Sequence, residues 1–298
     1  MTDAEVIKQK FKDWDECLRG VNPSEDGIDN NSVSAVLYAL YWEMGAYESY
    51  LAICKDNPKS LLATPLFGKM TAYNYIQVQA LRVRRLCESP ATPAGDKDTS
   101  IYSLRRIVDE MKQSRNLLKR DNICAAYGIP PTKAEITRQF DEATAGVSGS
   151  FDTSAVAAGN THAMLDNILD GHGVLGKKLL KELDKRLLVT NNAQLSEIVY
   201  FVDKNIAHSS SKSSRDEVGE IQLRVADMKK VIQDVTEVFY CLNMLVSLSD
   251  HAGMVPVGWQ NELVNLSKDE AQITSNTYKS VEAESETWKK NGYGLLGL

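Results

Sequence analysis

An all-α bundle is the fold this sequence predicts, and three observations carry that reading. Apolar residues recur at three- and four-residue intervals in almost every periodic stretch, which is the spacing of one helix face. No alternating run of six or more residues survives inspection, so nothing marks a half-buried strand. The chain has 298 residues, 43% of them apolar, which is enough to bury a large core.

The elements follow in order. Val6, Phe11, Trp14 and Leu18 share one face of a helix over 4–19. Asn30 to Ser34 offer N-cap residues for a strongly apolar helix over about 32–54, with Val33, Val36, Leu37, Leu40, Tyr41, Met44, Tyr47 and Leu51 inward. Pro58 and Lys59 break it, and a longer helix follows Pro65, with Phe67, Met70, Tyr73, Ile76, Val78, Leu81 and Leu86. The stretch ESPATPAGDKD is a loop. The next helix starts at Ser100 or Ser103 and carries Leu104, Ile107, Val108, Met111 and Leu118 until Pro130–Pro131 ends the unit. A short helix in TKAEITRQFDEA comes next. Residues 143–159, small and aperiodic, read as an exposed mobile loop, long enough to invite a functional role.

Further helices are expected over 161–170, 175–188, 193–208 and 218–248. The last of these shows a nearly clean stripe of Ile221, Val225, Met228, Ile232, Val235, Phe239, Leu242 and Leu245. A final helix is expected around 267–290, after a tail punctuated by Pro and Gly. No internal repeat is visible.

Composition narrows the function classes. A charged share of 25% and a net charge of −6 give no global signal for nucleic acid, although a local basic patch is compatible with both. Five cysteines, far apart and without a CxxC pair, argue against a structural zinc site and fit a reducing compartment. The first residues, MTDAEVIKQKFKDWDE, mix acids and lysines and do not read as a signal peptide. The most apolar window, 33–42, is too short to span a membrane, so a cytoplasmic protein is expected.

YFVDKNIAHSSSKSS, residues 200–214, carries the most pointed chemistry. At 100° per residue Leu195, Val199, Val202 and Ile206 form the inward stripe, with Phe201, Lys204, Asn205 and His208 on or near the opposite side. An imidazole at that helix end suits general acid–base work near neutral pH. RNA cleavage needs a base for the 2′-hydroxyl proton, a positive group for the phosphate and an acid for the leaving oxygen. Lys204 would supply charge, Asn205 would hold a phosphate oxygen or the ring tautomer, and Ser209 would contact phosphate. The plainer reading is a histidine favoured by the helix dipole, followed by a wet loop.

A basic region lies upstream. Residues 69–120 hold eleven Lys/Arg against five Asp/Glu, with Arg82, Arg84 and Arg85 in QALRVRRLCES and Arg105 and Arg106 in SLRRIVDEM. Such segregation suits phosphate or RNA contact, and equally suits intrachain pairing with Asp109, Glu110 or the acidic tail. Other constellations are weaker. His162, Asp166 and Asp170 share a helix face at metal-ligand spacing, which capping and solvation explain more simply, so no metal is assigned. GHGVLGKK lacks the Ser/Thr of a phosphate loop. The aromatics Tyr38, Tyr41, Trp42, Tyr47 and Tyr50 suit a core or a dimer seam better than base stacking.

FVDKNIAHS, with ALRVRRLCES and IYSLRRIVDEM upstream, resembles the AbiU2-like branch of the HEPN superfamily over roughly residues 30–245. The resemblance implies a HEPN-like bundle at 30–250, an added N-terminal helix in 1–29 and a C-terminal extension over 251–298. It implies a phage-defence or toxin-like role, a homodimer, RNA as substrate, no cofactor, and a protein partner such as an antitoxin. Members that cut RNA do so without metal, through paired R-x(4–6)-H motifs that meet between subunits. Here the motif histidine corresponds to His208, but Asp203, Val202 and Phe201 stand where the arginine is sought. Lys204 or an arginine from the 82–106 region replaces that charge, or the fold is kept for non-catalytic binding.

Overall fold

The structure, a computed structural model, describes residues 1–20, 32–89, 102–130, 153–207, 223–247 and 268–298, with Thr132, Ala134, Glu135 and Arg138 besides. In chain order its helices are α1 (Asp3–Arg19), α2 (Val33–Asp56), α3 (Pro65–Leu86), α4 (Leu104–Gln113) and α5 (Arg120–Tyr127). They continue with α6 (Thr153–Ile168), α7 (Lys177–Leu187), α8 (Ala193–Phe201), α9 (Val225–Ser247) and α10 (Lys268–Gly294). A 3₁₀ turn, Leu61–Ala63, joins α2 to α3, and a π-helical turn, Val202–Ala207, prolongs α8. Among the described residues there is no strand beyond two isolated bridges, so the fold is all-α.

Helix α9 is the central pillar. It shows one stripe in the sequence, yet between Val231 and Val246 nearly every residue is buried, Thr236, Glu237, Tyr240 and Asn243 included, so its second half is covered well beyond that stripe. It packs against α1, α2, α3, α4, α7, α8 and α10. The N- and C-terminal segments expected to flank the bundle belong to the same hydrophobic core: Ile7, Trp14 and Leu18 of α1 and Val281 and Trp288 of α10 join it. Helix α10 lies along both α9 and α2.

Caps fix several boundaries. Thr2 and Glu5 form a reciprocal capping box, with Thr2 N–H donating to Glu5 Oε2 at 2.6 Å and Glu5 N–H to Thr2 Oγ1 at 3.3 Å. Ser32 caps α2 by accepting from Ala35 N–H at 3.2 Å, and Ser103 caps α4 by accepting from Arg106 N–H at 3.1 Å. Of the expected α2 caps, Asn30 and Asn31 lie outside the described residues.

Three expectations are corrected. The unit expected from Ser100 or Ser103 to Pro130–Pro131 holds two helices, because the chain turns at Ser114 and restarts at Arg120; α5 then stops at Gly128, which has φ 68°. Part of the expected loop 143–159 is helical, since α6 begins at Thr153. Residues 153–159 lack a long apolar stripe, but their alanines have the best intrinsic helix propensity. Phe201, expected outward, is buried. Helix α8 packs against both α3 and α9, so its buried arc is wider than one stripe and takes in Ile198 and Phe201. The short helix expected within 132–143 falls mostly outside the described residues, as do 139–152 and 248–267.

Two glycines let α10 approach its neighbours. A Cβ on Gly45 of α2 would collide with the Tyr278 ring, and one on Gly292 would stand 2.5 Å from the Glu237 carbonyl oxygen. Tyr278 is held there by its hydroxyl, which donates to the Trp42 carbonyl at 3.0 Å. Gly45→Val is therefore expected to lower stability by about 1–3 kcal/mol in urea unfolding through overpacking. Gly294→Ala, where nothing stands within 4 Å, should change stability by less than about 1 kcal/mol.

Candidate functional site

The end of α8 is built from its N-cap outward. Asn192 Oδ1 accepts from Leu195 N–H at 3.1 Å, while its Nδ2 donates to Asp234 Oδ2 of α9 at 3.1 Å. One side chain thus starts α8 and ties it to the pillar. Leu195, Ile198 and Phe201 bury against the core, and at Val202 the helix widens into the π turn. Single π turns inside helices are rare and recur at functional sites.

The π turn presents a charged sequence, Asp203–Lys204–Asn205. Asp203 Oδ1 pairs with Arg84 Nη2 of α3 at 2.9 Å, and both side chains are about a third exposed. Arg84 Nη1 also lies 3.9 Å from Glu88. Lys204 Nζ sits 5.8 Å from the centre of the Tyr200 ring, a cation–π distance. Asn205 is exposed. His208 and Ser209 lie outside the described residues, as does the SSSKSS run.

Beside Arg84 opens a cleft of about 210 Å³ lined by Cys87, Glu88, Arg105, Leu188 and Val199 among others. Burial pushes the Cys87 thiol up to about 12, with Asp234 adding to the rise and Arg105 opposing it. At neutral pH that sulfur is a protonated thiol and no nucleophile.

Of the other arginines of the basic region, Arg105 and Arg106 are buried and Arg82 is paired within the chain. Arg82 pairs with Glu43 of α2, whose Oε2 also accepts from Gln79 Nε2 at 3.0 Å. Arg105 is buried, donating to Asp109 at 2.9 Å and to Asp184 of α7 at 2.7 Å, and Lys112 joins the same cluster. Arg106 is buried against Glu110 at 2.9 Å, and Glu110 also accepts from Trp14 Nε1 at 2.9 Å. Arg85 is half-buried. Arg82, Arg105 and Arg106 are thus all engaged in intrachain pairs, the buried Arg105 and Arg106 shielded from solvent and Arg82 about as exposed as Arg84.

The His162, Asp166 and Asp170 face is divided among arginines. Arg120 Nη1 donates to His162 Nδ1 at 2.9 Å, and because arginine has no acceptor, His162 Nδ1 carries no proton. Nε2–H then donates to the Pro130 carbonyl at 2.8 Å. The ring is 1% exposed and held between these two partners. Asp166 pairs with Arg120 and Asp170 with Arg115. Among the described residues no group of three His, Cys, Asp or Glu is placed to hold a metal ion.

Of the residues singled out in the sequence, Lys204, Asn205 and Arg84 are brought together at the α8 end. The element missed there is Asp203, visible in the sequence only as a non-arginine at motif spacing and now the carboxylate that recruits Arg84. Known families, curated proteins and solved structures give no match to this chain. Among the described residues no helix is long and apolar enough to cross a membrane.

Glu110 supplies a test of the buried network. Burial raises its carboxyl, but hydrogen bonds from Arg106 and Trp14 and the charges of Arg106 and Lys10 outweigh burial and hold it below its ordinary value of 4.5. A depressed acid stabilises the fold above its unfolded-state value and loses that contribution as pH falls through the folded one. Glu110→Gln is expected to cost about 1–2 kcal/mol near neutral pH, with the difference from wild type shrinking below about pH 4.5 in urea titrations.

Proposed function

We propose that this chain is a HEPN-like protein with a phage-defence or toxin-like role that cleaves RNA through His208 without a metal. The observation that carries the reading is the Arg84–Asp203 pair at 2.9 Å. The sequence has no arginine five to seven positions before His208, and an arginine from α3 sits on the residue five positions before it. Lys204 and Asn205 lie on the same turn, which runs directly into His208.

In this reading His208 takes the proton of a 2′-hydroxyl, and the freed oxygen attacks the adjacent phosphorus. Arg84 and Lys204 offset the charge that grows on the phosphate oxygens. The P–O bond to the 5′ oxygen breaks, that oxygen takes a proton from an acid, and a 2′,3′-cyclic phosphate and a 5′-hydroxyl result. Asn205 holds a phosphate oxygen or the ring tautomer. The setting proposed with it is cytoplasmic, with an antitoxin-like protein partner.

A second reading, a non-catalytic HEPN-like binding or scaffold protein, is favoured by one observation. Arg82, Arg105 and Arg106 are neutralised inside the chain, so the basic region offers much less positive surface than its composition suggests.

The two readings part on expression of wild type and His208→Ala in a bacterial host, scored by growth and total RNA integrity. Catalysis through His208 requires that the substitution lower RNA cleavage by about 10²–10⁴-fold at unchanged helicity. Arg84→Ala should lower it by tenfold or more. Equal RNA integrity and growth in wild type and His208→Ala give the chain to the binding reading.

A further inference from the structure

The first half of α3 stands apart from the rest of the bundle. Its first ten residues, 65–74, include no buried side chain, whereas the second half buries Tyr75, Gln79, Ala80, Val83 and Leu86. The outward face carries Leu66, Met70, Tyr73 and Leu81, exposed by 68%, 52%, 54% and 42%. The 3₁₀ turn adds Leu61 and Leu62 beside it, also well exposed and tied to α2 where Tyr50 donates to the Leu62 carbonyl at 2.7 Å. Together these side chains expose on the order of several hundred Å² of apolar surface, at or above the largest patch of an ordinary monomer.

We propose that this face is a homodimer seam, in which α3 pairs antiparallel with α3 of a second copy. The spacing of the stripe is its own complement. About a two-fold axis between Tyr73 and Asn74, Leu66 meets Leu81 of the other copy and Met70 meets Gln77, while Tyr73 crosses the axis. An isologous interface requires this, since residue i contacts j and j contacts i. The positions 66, 70, 73 and 77 also follow the alternating four- and three-residue spacing of a helix–helix seam.

Charge selects the occupant. Helix α3 contains no Asp or Glu, and Lys69 is its sole charge before Arg82. Depletion of charge with tyrosine and methionine in the centre is the composition of a protein–protein interface core. A nucleic-acid face would be strongly basic. A membrane-surface helix would set lysines and arginines opposite its apolar face, and here the opposite face of α3 packs on α2, with Tyr75 stacked on Tyr47 at 4.2 Å between ring centres. Area is compatible: a patch of several hundred Å² used twice reaches on the order of the 1,000 Å² that a specific interface needs.

This pairing differs from the dimer that the family resemblance implies, in which the two motif histidines meet. Antiparallel α3 helices set the two Arg84 residues on opposite sides of the two-fold axis, on the order of 30 Å apart along the helix direction. Each subunit would then carry its own complete α8 end.

The test is the oligomeric state of the full chain, read by light scattering and sedimentation across a concentration series. Wild type is expected to be a dimer. Leu66→Glu, which enters a symmetric seam twice, should weaken dimerisation by at least about 100-fold with helicity unchanged. The double variant Leu66→Glu/Leu81→Lys should restore the dimer, because the new charges face each other only in the antiparallel register. A wild type that stays monomeric overturns the proposal, and if that monomer binds lipid vesicles through these residues the face belongs to a membrane surface. A dimer untouched by Leu66→Glu also overturns the seam, and failure of the double variant to recover overturns its register. RNA cleavage is not the readout, so these results stand apart from those for His208.

Discussion

Everything in this bundle is arranged around a carboxylate in the middle of α9. Glu237 is 4% exposed, yet Arg186 of α7 reaches it at 3.3 Å, Gln233 at 2.7 Å and Asn291 of α10 at 2.9 Å. A buried charge is tolerated only when paired and hydrogen-bonded, and removing one partner of such a pair typically costs about 3–5 kcal/mol. The consequence is registry. Hydrophobic stripes let helices slide, whereas this group admits one position of α7 and one of α10 relative to α9. One turn earlier, Asp234 accepts from Asn192, the residue that also caps α8. The pillar's two acids therefore fix three of the helices around it, and the third is the helix that leads into the π turn.

How much of this was legible in the sequence depends on range. Periodicity finds the helices and residue type finds their caps, because both are decided within a few positions. Ser103 and Pro65 mark helix starts for reasons contained in their own turns. What the sequence leaves open is decided across the fold. Arg105 finds Asp184, 79 residues away, and Arg82 finds Glu43, 39 residues away. From composition the arginines of 82–106 form one basic block with two readings. In the structure they divide, because α4 packs on α7 while the end of α3 packs on α8. The orientation of Phe201 was misjudged for a related reason: a single stripe assumes one neighbour, and α8 has two.

The same division sharpens the site. Arg105 and Arg106 sit at the start of α4 with carboxylates one turn on, so their charge is answered locally before any ligand arrives. Arg84 is answered by Asp203, and that pair is about a third exposed. A pair in partial solvent is held weakly, so a phosphate can compete for its guanidinium as it cannot for a buried one. Exposure, rather than the number of positive residues, separates Arg82 and Arg84 from the buried Arg105 and Arg106.

Helix α3 joins these themes, because its two halves obey different constraints. The second half buries its apolar residues and carries three arginines, of which Arg82 and Arg84 pair with acids from α2 and the π turn. The first half has an apolar outer face, no acid and no fully covered side chain. An apolar surface of that kind in water carries a free-energy cost, which the proposed pairing with a second copy would relieve without any new type of contact. Its spacing permits that pairing, with Arg84 on the same face one turn beyond Leu81. In the proposed seam Leu66 pairs with Leu81, so the contact would come within one turn of Arg84, and Leu66, at the far end of the helix, is the position where a substitution can test association without touching the packing that holds Asp203 in place.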